Sequence, residues 1–294
     1  EIGLYEKAFS NFLKTLSINK NNYFAKKNLI YLLSFISPKN NKDHSFIEIN
    51  NEIKKKFSDL KNINLNKIDI LTKIINHADD IIKKKNENFV FEETQIYRKN
   101  SQDLNCKRHF KVFNKFNIIP KFCFSCYKVQ INLKNVIDLI KLYFIFDTIN
   151  LQNNNIRKCV VELRDKVKGN YKGYIYCNEL FEAKEIKKKM NQIISKEQFD
   201  NFTIEIKHGC TEYYKSYPKF KNINFDGEQD FLYHQDWQEK EDLIDKSEPT
   251  RSENNKKILL ESVRGINLSD ILIIKNWINY ANLIGDTSYK KIYN

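Results

Sequence analysis

Two pairs of potential metal ligands lie close together in the segment "CKRHFKVFNKFNIIPKFCFSC", residues 106–126. Cys106 and His109 are separated by two residues, and so are Cys123 and Cys126. Zinc prefers tetrahedral thiolate and imidazole ligands, often supplied as C-x2-C or C-x2-H pairs from two chain segments. The spacing C-x2-H-x13-C-x2-C therefore predicts a zinc site, with iron as the alternative metal.

The elements that would position these side chains begin at about residue 121, where strand-like alternation and helical periodicity follow each other. Strands are predicted over 126–133, 157–167, 171–177 and 202–210. A strongly apolar helix is predicted over 134–151 and an amphipathic helix over 179–197. This β-α-β-β-α-β order is typical of a ferredoxin-like domain. In that α+β fold, four antiparallel strands in spatial order 4-1-3-2 carry two helices on one face.

The predicted topology brings further thiols to the same place. The starts of strands one and two share one end of the sheet with the ends of strands three and four. Cysteine and histidine side chains occupy those positions, and Cys106 and His109 lie a short connection upstream. The candidate metal ligands at this end are Cys106, His109, Cys123, Cys126, Cys159, Cys177, His208 and Cys210.

Strand alternation points Cys159, Cys177, His208 and Cys210 inward, toward the helices. Such thiols either fill the core as small apolar groups, bind one ion, or act as redox or nucleophilic groups. A disulfide framework is not expected in a large intracellular domain. The sequence identifies no catalytic residue. Two functions stay open: a binding protein with a structural metal, and a metal- or thiol-dependent enzyme whose active site lies at this end of the sheet.

The opposite sheet face carries aromatic and basic residues. The segment "KGYIY" (172–176) resembles the third-strand motif of RNA-recognition domains. The resemblance implies binding of single-stranded RNA, with tyrosines stacking on bases and cations around them. It departs from the family in strand one, where Lys128 and Gln130 stand in place of an aromatic residue. The candidate RNA-binding residues are Lys128, Arg164, Lys172, Tyr174, Tyr176 and Lys207.

The first 33 residues carry a second resemblance. "GLYEKAFSNFLKTLSINKNN" (3–22) and "YFAKKNLIYLL" (23–33) resemble the second helix of one tetratricopeptide repeat and the first helix of the next, with packing residues at Gly3, Tyr5, Ala8, Phe12, Leu16 and Ile18. The match ends before Pro38. It implies helices that present a surface to a protein partner, and further repeats before residue 1, because one repeat cannot bury its apolar face alone.

Composition limits the remaining possibilities. The formal charge is +13, but only six of the 50 basic residues are arginine. Lysine forms fewer bidentate phosphate contacts than arginine, so most of this charge is expected on solvated surface. No segment has the roughly 20 apolar residues of a membrane span. The expectation is a cytoplasmic protein without a membrane partner.

Three parts are predicted along the chain. Residues 1–105 form a helical region, 106–220 the ferredoxin-like domain with its Cys/His cluster, and 221–294 a polar extension with a C-terminal docking helix. Within the last part, residues 226–256 are predicted to be a surface extension or linker anchored by His234 and Trp237. The helix over 268–285 is predicted to end at Gly285.

Overall fold

The computed structural model describes residues 4–38, 44–58, 68–85, 89, 91–98, 104–165, 167–247 and 265–293. Helices come first, a five-stranded antiparallel sheet follows, and a long helix lies near the C-terminal end. The predicted α+β class is therefore confirmed. None of the helices in these ranges combines the length and the apolar character that crossing a lipid bilayer requires.

The sheet consists of five strands: β1 (Gln95–Arg98), β2 (Tyr127–Leu133), β3 (Arg157–Val161), β4 (Tyr171–Cys177) and β5 (Thr203–His208). Their spatial order is β1-β3-β4-β2-β5, and every neighbouring pair is antiparallel. The four strands of the β-α-β-β-α-β unit thus have the predicted 4-1-3-2 order. β1 adds a fifth strand at the edge next to β3.

Two details of the strand prediction were wrong. β1 lies inside the region predicted to be helical. A four-residue strand is too short to show a sequence period of its own. At the sheet edge, Ile96 of β1 pairs with Cys159 of β3. The second predicted strand, 157–167, ends at Val161. Leu163, which lies inside the predicted strand, is 57% exposed, because no neighbouring strand continues the ladder there.

Helices α6 (Val136–Thr148) and α7 (Leu180–Lys196) pack on one face of the sheet. The Asn135 side chain caps α6 by accepting a hydrogen bond from the Asp138 amide. α6 is apolar on nearly every side, and it is buried between the sheet and other helices. Gly173 of β4 allows this close approach, since a Cβ there would lie 2.4 Å from a methyl carbon of Leu142.

In the described part of the chain before the sheet there are four helices: α1 (Tyr5–Ile18), α2 (Tyr23–Phe35), α3 (Ser45–Lys56) and α4 (Ile68–Lys84). α1 and α2 pack as a hairpin, and Asn22 caps α2. Ile18, assigned to packing by the tetratricopeptide resemblance, is 87% exposed, and Gly3 lies outside the described residues. The resemblance itself stays a prediction.

The C-terminal helix α9 (Leu268–Leu283) contacts α2, α3, α6 and β1, and a short helix, α10 (Lys290–Tyr293), follows it. At the start of α9, Asn267 and Asp270 form a reciprocal capping box. Side chains from the N-terminal helices, the sheet and α9 share one hydrophobic core. The three predicted parts of the chain stay a prediction.

Arg98 joins β1 to α6 and α9 inside this core. Its Nε donates to Asp147 at 2.7 Å, and one Nη donates to Asp270 and to the Tyr143 hydroxyl, each at 2.6 Å. The arginine side chain is only 2% exposed. Two buried carboxylates thus share one guanidinium, and removal of the arginine leaves both without their cation.

A second apolar cluster lies beside the sheet. It is formed by α5 (Cys106–Phe116), α8 (Trp237–Ser247) and 3-10 turns at Lys121–Ser125, Thr211–Lys215 and Pro218–Lys221. Arg108 of α5 binds Glu241 and Asp245 of α8, and Trp237 is buried against His234. The predicted anchoring role of Trp237 is confirmed, whereas part of the expected linker is a docked helix.

Candidate functional site

Four of the six cysteines line one small cavity where the second cluster meets the sheet. We call it the thiol cavity; its thiols are Cys106, Cys123, Cys126 and Cys210, and His109 also lines it. The enclosed volume is about 10 Å³. That is close to the smallest space that holds one water molecule or an ion of similar size.

Three chain segments supply these thiols. Cys106 begins α5, Cys123 lies in the 3-10 turn that follows Pro120, and Cys126 leads into β2. The turn brings Cys126 close to Cys123, and the Cys126 amide donates to the Cys123 carbonyl at 3.2 Å. Cys210 arrives from the opposite direction, just after β5.

Gly209 explains why Cys210 reaches the cavity. Strand alternation predicted that Cys210 points toward the helices, and this was wrong. β5 ends at His208, and Gly209 has a φ of +57°, which breaks the alternation. Cys210 instead lies on the side of Lys128, on the sheet face opposite the helices.

Polar groups contact two of the thiols. The Lys128 ammonium donates to the Cys210 sulfur at 3.1 Å, and the Tyr213 hydroxyl lies 3.4 Å from the Cys123 sulfur. Burial works against the charge of Lys128, but the neighbouring Tyr176, Cys210 and Cys126 raise the pKa of its ammonium. The Lys128 side chain thus lines the thiol cavity, in hydrogen-bonding contact with Cys210.

Burial has the opposite consequence for the inner thiols. It raises the pKa of Cys126 to about 12, although Lys128 acts in the other direction. Burial likewise raises the pKa of Cys123 far above its usual range. Both side chains are therefore thiols at neutral pH, and any reaction that needs their thiolates must provide compensating positive charge.

Three of the predicted ligands lie outside the thiol cavity. Cys159 is opposite Gly173, in the middle of the sheet, and not at the end of the strand as expected. Cys177 closes β4 as predicted, but it faces the main core, where burial raises its pKa. Burial also raises the pKa of Cys159. Both cysteines occupy the inward positions that alternation predicted, as apolar members of the core.

His208 is inward and buried too, but its ring is fully engaged. One ring nitrogen lies 2.7 Å from the Phe220 carbonyl oxygen, and the other lies 2.8 Å from that of Phe124. The ring also stacks on Tyr127. Burial lowers the pKa of His208 against the effect of the two carbonyls. The residue links β5 to two 3-10 turns.

The side chains around the thiol cavity are not arranged as a coordination sphere. Among the described residues, no group of three or more Cys, His, Asp or Glu side chains is arranged to hold a metal ion. Cys123 and Cys210 are turned toward Tyr213 and Lys128, as given above. The donor set nevertheless has the soft sulfur and imidazole chemistry that zinc and iron favour.

The sheet face opposite the helices holds the predicted RNA-binding residues, and they differ in accessibility. Tyr174 is partly exposed, but Tyr176 is only 8% exposed and lies under the Lys128 ammonium. Lys172 is 1% exposed and lies 3.9 Å from Glu162. The strand ladder places Tyr174, Tyr176, Lys128, Lys172 and Lys207 on this face as expected.

Arg164 lies beyond the end of β3 and its charge is largely neutralised. Its Nε donates to Glu162 at 2.8 Å, and one Nη donates to Glu212 at 3.2 Å. Glu212 is thereby engaged in an ion pair. Both residues are solvent-exposed, so the pair contributes little to stability.

Sequence reasoning missed two residues of this face, Lys158 and Tyr97. The Lys158 ammonium lies 5.3 Å from the ring centre of Tyr174 and 5.5 Å from that of Tyr97. Burial, with the nearby Lys128 charge, lowers the pKa of Lys158 to about 8. Alternation along β3 would have identified Lys158, whereas Tyr97 was hidden because β1 was not predicted.

Comparisons of the chain with protein-family models, with curated proteins and with solved structures found no match.

Proposed function

We propose that this chain is a binding protein whose thiol cavity takes up one zinc ion, which ties the second cluster to the end of the sheet. The observation that supports this proposal is the convergence of four thiols and one imidazole, from separate segments, on one cavity. Cys106, Cys123, Cys126 and Cys210 would hold the ion. His109 is the alternative ligand in place of one of these four thiols.

The charges near the thiol cavity favour such a site. Four thiolates around a divalent zinc ion leave a net charge of about −2, which is costly to bury without compensation. The Lys128 ammonium already lies in hydrogen-bonding contact with Cys210. N–H donors to sulfur and a nearby cation are the outer contacts that stabilise a thiolate site.

The ion would have a structural role. It would link α5, the 3-10 turn before β2 and the segment after β5. These segments also meet in the second apolar cluster and through the contact of Cys123 with the Tyr213 hydroxyl. The helices α1 to α4 would then contact a protein partner. Several large apolar side chains are exposed there, among them Phe24 and Tyr31.

Metal analysis tests this proposal directly. Protein dialysed against zinc and then against buffer is expected to retain one equivalent by elemental analysis, and a chelator is expected to remove it. Cys126→Ser and Cys210→Ser are expected to weaken zinc binding by about tenfold or more, since each removes a ligand.

The matched control is Cys159→Ala, because Cys159 is a buried cysteine outside the thiol cavity; this variant is expected to keep the full equivalent of zinc. Iron with visible absorbance in place of zinc would favour a redox enzyme. The proposal is wrong if the folded protein retains no metal, or if Cys159→Ala loses zinc as Cys126→Ser does.

A second candidate function is the binding of single-stranded RNA on the sheet face opposite the helices. It is favoured by the row Tyr97, Lys158 and Tyr174, in which one cation lies between two partly exposed rings. Aromatic rings next to cations are the features on which unpaired bases stack. Buried Tyr176 is not expected to take part.

We expect Tyr174→Ala to weaken binding of a single-stranded oligonucleotide by about 1–3 kcal/mol, the free energy of one lost stack. Tyr97→Ala is expected to have a similar effect, measured by fluorescence anisotropy at fixed salt. Tyr31→Ala is the control, because Tyr31 is an exposed tyrosine on α2, away from the sheet. Equal affinities for all three variants and the parent protein would contradict this function.

A further inference from the structure

Cys210 differs from the other thiols of the cavity in its surroundings. Its sulfur accepts a hydrogen bond from the Lys128 side chain at 3.1 Å, and, like Cys106 and Cys126, it is partly exposed. Cys123, in contrast, is buried, and its sulfur lies 3.4 Å from the Tyr213 hydroxyl. Reactive cysteines are found where a thiol is accessible and a cation stabilises the negative charge on sulfur.

A second thiol lies next to Cys210 in the sheet. The Gly209 amide donates to the Cys126 carbonyl at 2.7 Å, one step beyond the last ladder pair, Tyr127 with His208. Cys126 and Cys210 therefore leave the same end of two adjacent strands, and both line the thiol cavity. Adjacent strands and a shared cavity thus bring the two cysteines together, as a disulfide between neighbouring segments requires.

We propose that Cys210 is a peroxide-reactive thiol, oxidised by hydrogen peroxide to a sulfenic acid, and that Cys126 resolves this sulfenic acid as a disulfide. The inference goes beyond the proposed zinc site and concerns the metal-free protein. Zinc, where bound, would occupy the same sulfur atoms and protect them.

The oxidation of Cys210 and the formation of the disulfide are two separate steps. The Cys210 sulfur attacks one peroxide oxygen; an S–O bond forms, the O–O bond breaks, and the leaving hydroxide takes up the proton that Cys210 released. The sulfur is oxidised by two electrons and the peroxide is reduced to water. The Cys126 sulfur then attacks the sulfenic sulfur, an S–S bond forms, and hydroxide leaves and becomes water with the Cys126 proton.

Lys128 is the positioning residue in the first step. Its side-chain nitrogen donates a hydrogen bond, at 3.1 Å, to the sulfur on which negative charge develops. Charge-assisted hydrogen bonds of this kind are stronger than neutral ones. Loss of the ammonium should therefore slow the attack on peroxide.

The experiment uses the whole chain after chelator treatment, with zinc content measured separately. Peroxide is added with dimedone, which traps sulfenic acids, and the labelled cysteine is located by peptide mass spectrometry. We expect the first label on Cys210, and, without dimedone, a disulfide between Cys126 and Cys210. In Cys126→Ser, the Cys210 sulfenic acid should persist and no disulfide should form.

Lysine variants test the role of the cation. Lys128→Met is expected to slow oxidation of Cys210 by about tenfold, the value of one charge-assisted hydrogen bond. Lys128→Arg, which keeps a positive charge, should retain most of the rate. The matched control is Lys207→Met, because Lys207 is opposite Lys128 in the ladder and pairs with Glu205 at 3.8 Å.

Several outcomes would overturn the inference. These are first labelling at a cysteine other than Cys210, an unchanged rate in folded Lys128→Met, or a rate for native Cys210 no higher than that for the denatured chain. Unfolding of Lys128→Met, seen by circular dichroism, would leave Lys128→Arg and Cys126→Ser to decide. Failure to bind zinc would not affect these results, so the two proposals are tested separately.

Discussion

Replacing Arg98 with methionine is expected to lower the free energy of unfolding by about 3–5 kcal/mol, because it leaves Asp147 and Asp270 buried without their shared cation. The guanidinium bonds to both carboxylates and also to the Tyr143 hydroxyl and the Gly265 carbonyl. Urea denaturation followed by tryptophan fluorescence measures the change.

The control is Arg164→Met, which removes an arginine that also binds two carboxylates but lies at the surface. Its cost is expected to be about 0–1 kcal/mol. Adding Asp147→Asn and Asp270→Asn to Arg98→Met should recover part of the lost stability, since the uncompensated charges are removed. Similar costs for the two single arginine variants would show that the buried cluster is not a major source of stability.

Gly209→Ala is expected to lower the free energy of unfolding by about 2–5 kcal/mol, because it adds backbone strain and overpacking at the same position. Gly209 has a φ of +57°, and a Cβ there would lie 2.3 Å from a ring carbon of Phe220. The ring must move, and with it the turn that joins β5 to the second cluster. The thiol cavity, which Gly209 lines, should be altered as well.

Comparison with Gly285→Ala separates the packing part of this effect from the backbone strain. Gly285 also has a positive φ, +78°, but no atom lies within 4 Å of the position of a Cβ. Its cost is therefore expected to be about 1 kcal/mol, from strain alone. Equal losses of unfolding free energy for the two glycine variants, measured by urea denaturation, would mean that the Phe220 ring moves aside without a packing cost.

The four-stranded unit could be predicted because its apolar residues alternate cleanly. Val129, Ile131 and Ile175 face α6 and α7, as the period of two requires. Antiparallel neighbours and the handedness of the connections then leave few strand orders to consider. The fifth strand could not be predicted, because four residues at a sheet edge are stabilised by pairing with β3 and not by a pattern of their own.

The thiol cavity could be predicted only in part. Sequence spacing brought Cys123 and Cys126 together with Cys106 and Cys210, but it also included Cys159 and Cys177, which pack in the main core. Register decides this difference: Cys159 pairs with Gly173, well away from the strand end. The positive φ of Gly209, which redirects Cys210, has no signature in the sequence beyond the glycine itself.

Contacts between α9 and the N-terminal helices impose an order on how the chain can mature during synthesis. The Leu268 amide donates to the Asn50 side chain, and these two residues are 218 positions apart along the chain. Lys275 of α9 pairs with Asp79 of α4, again across a long separation. The ribosome releases the N-terminal helices long before α9 is made. Until α9 packs against them, their apolar faces are accessible to chaperones and to other chains.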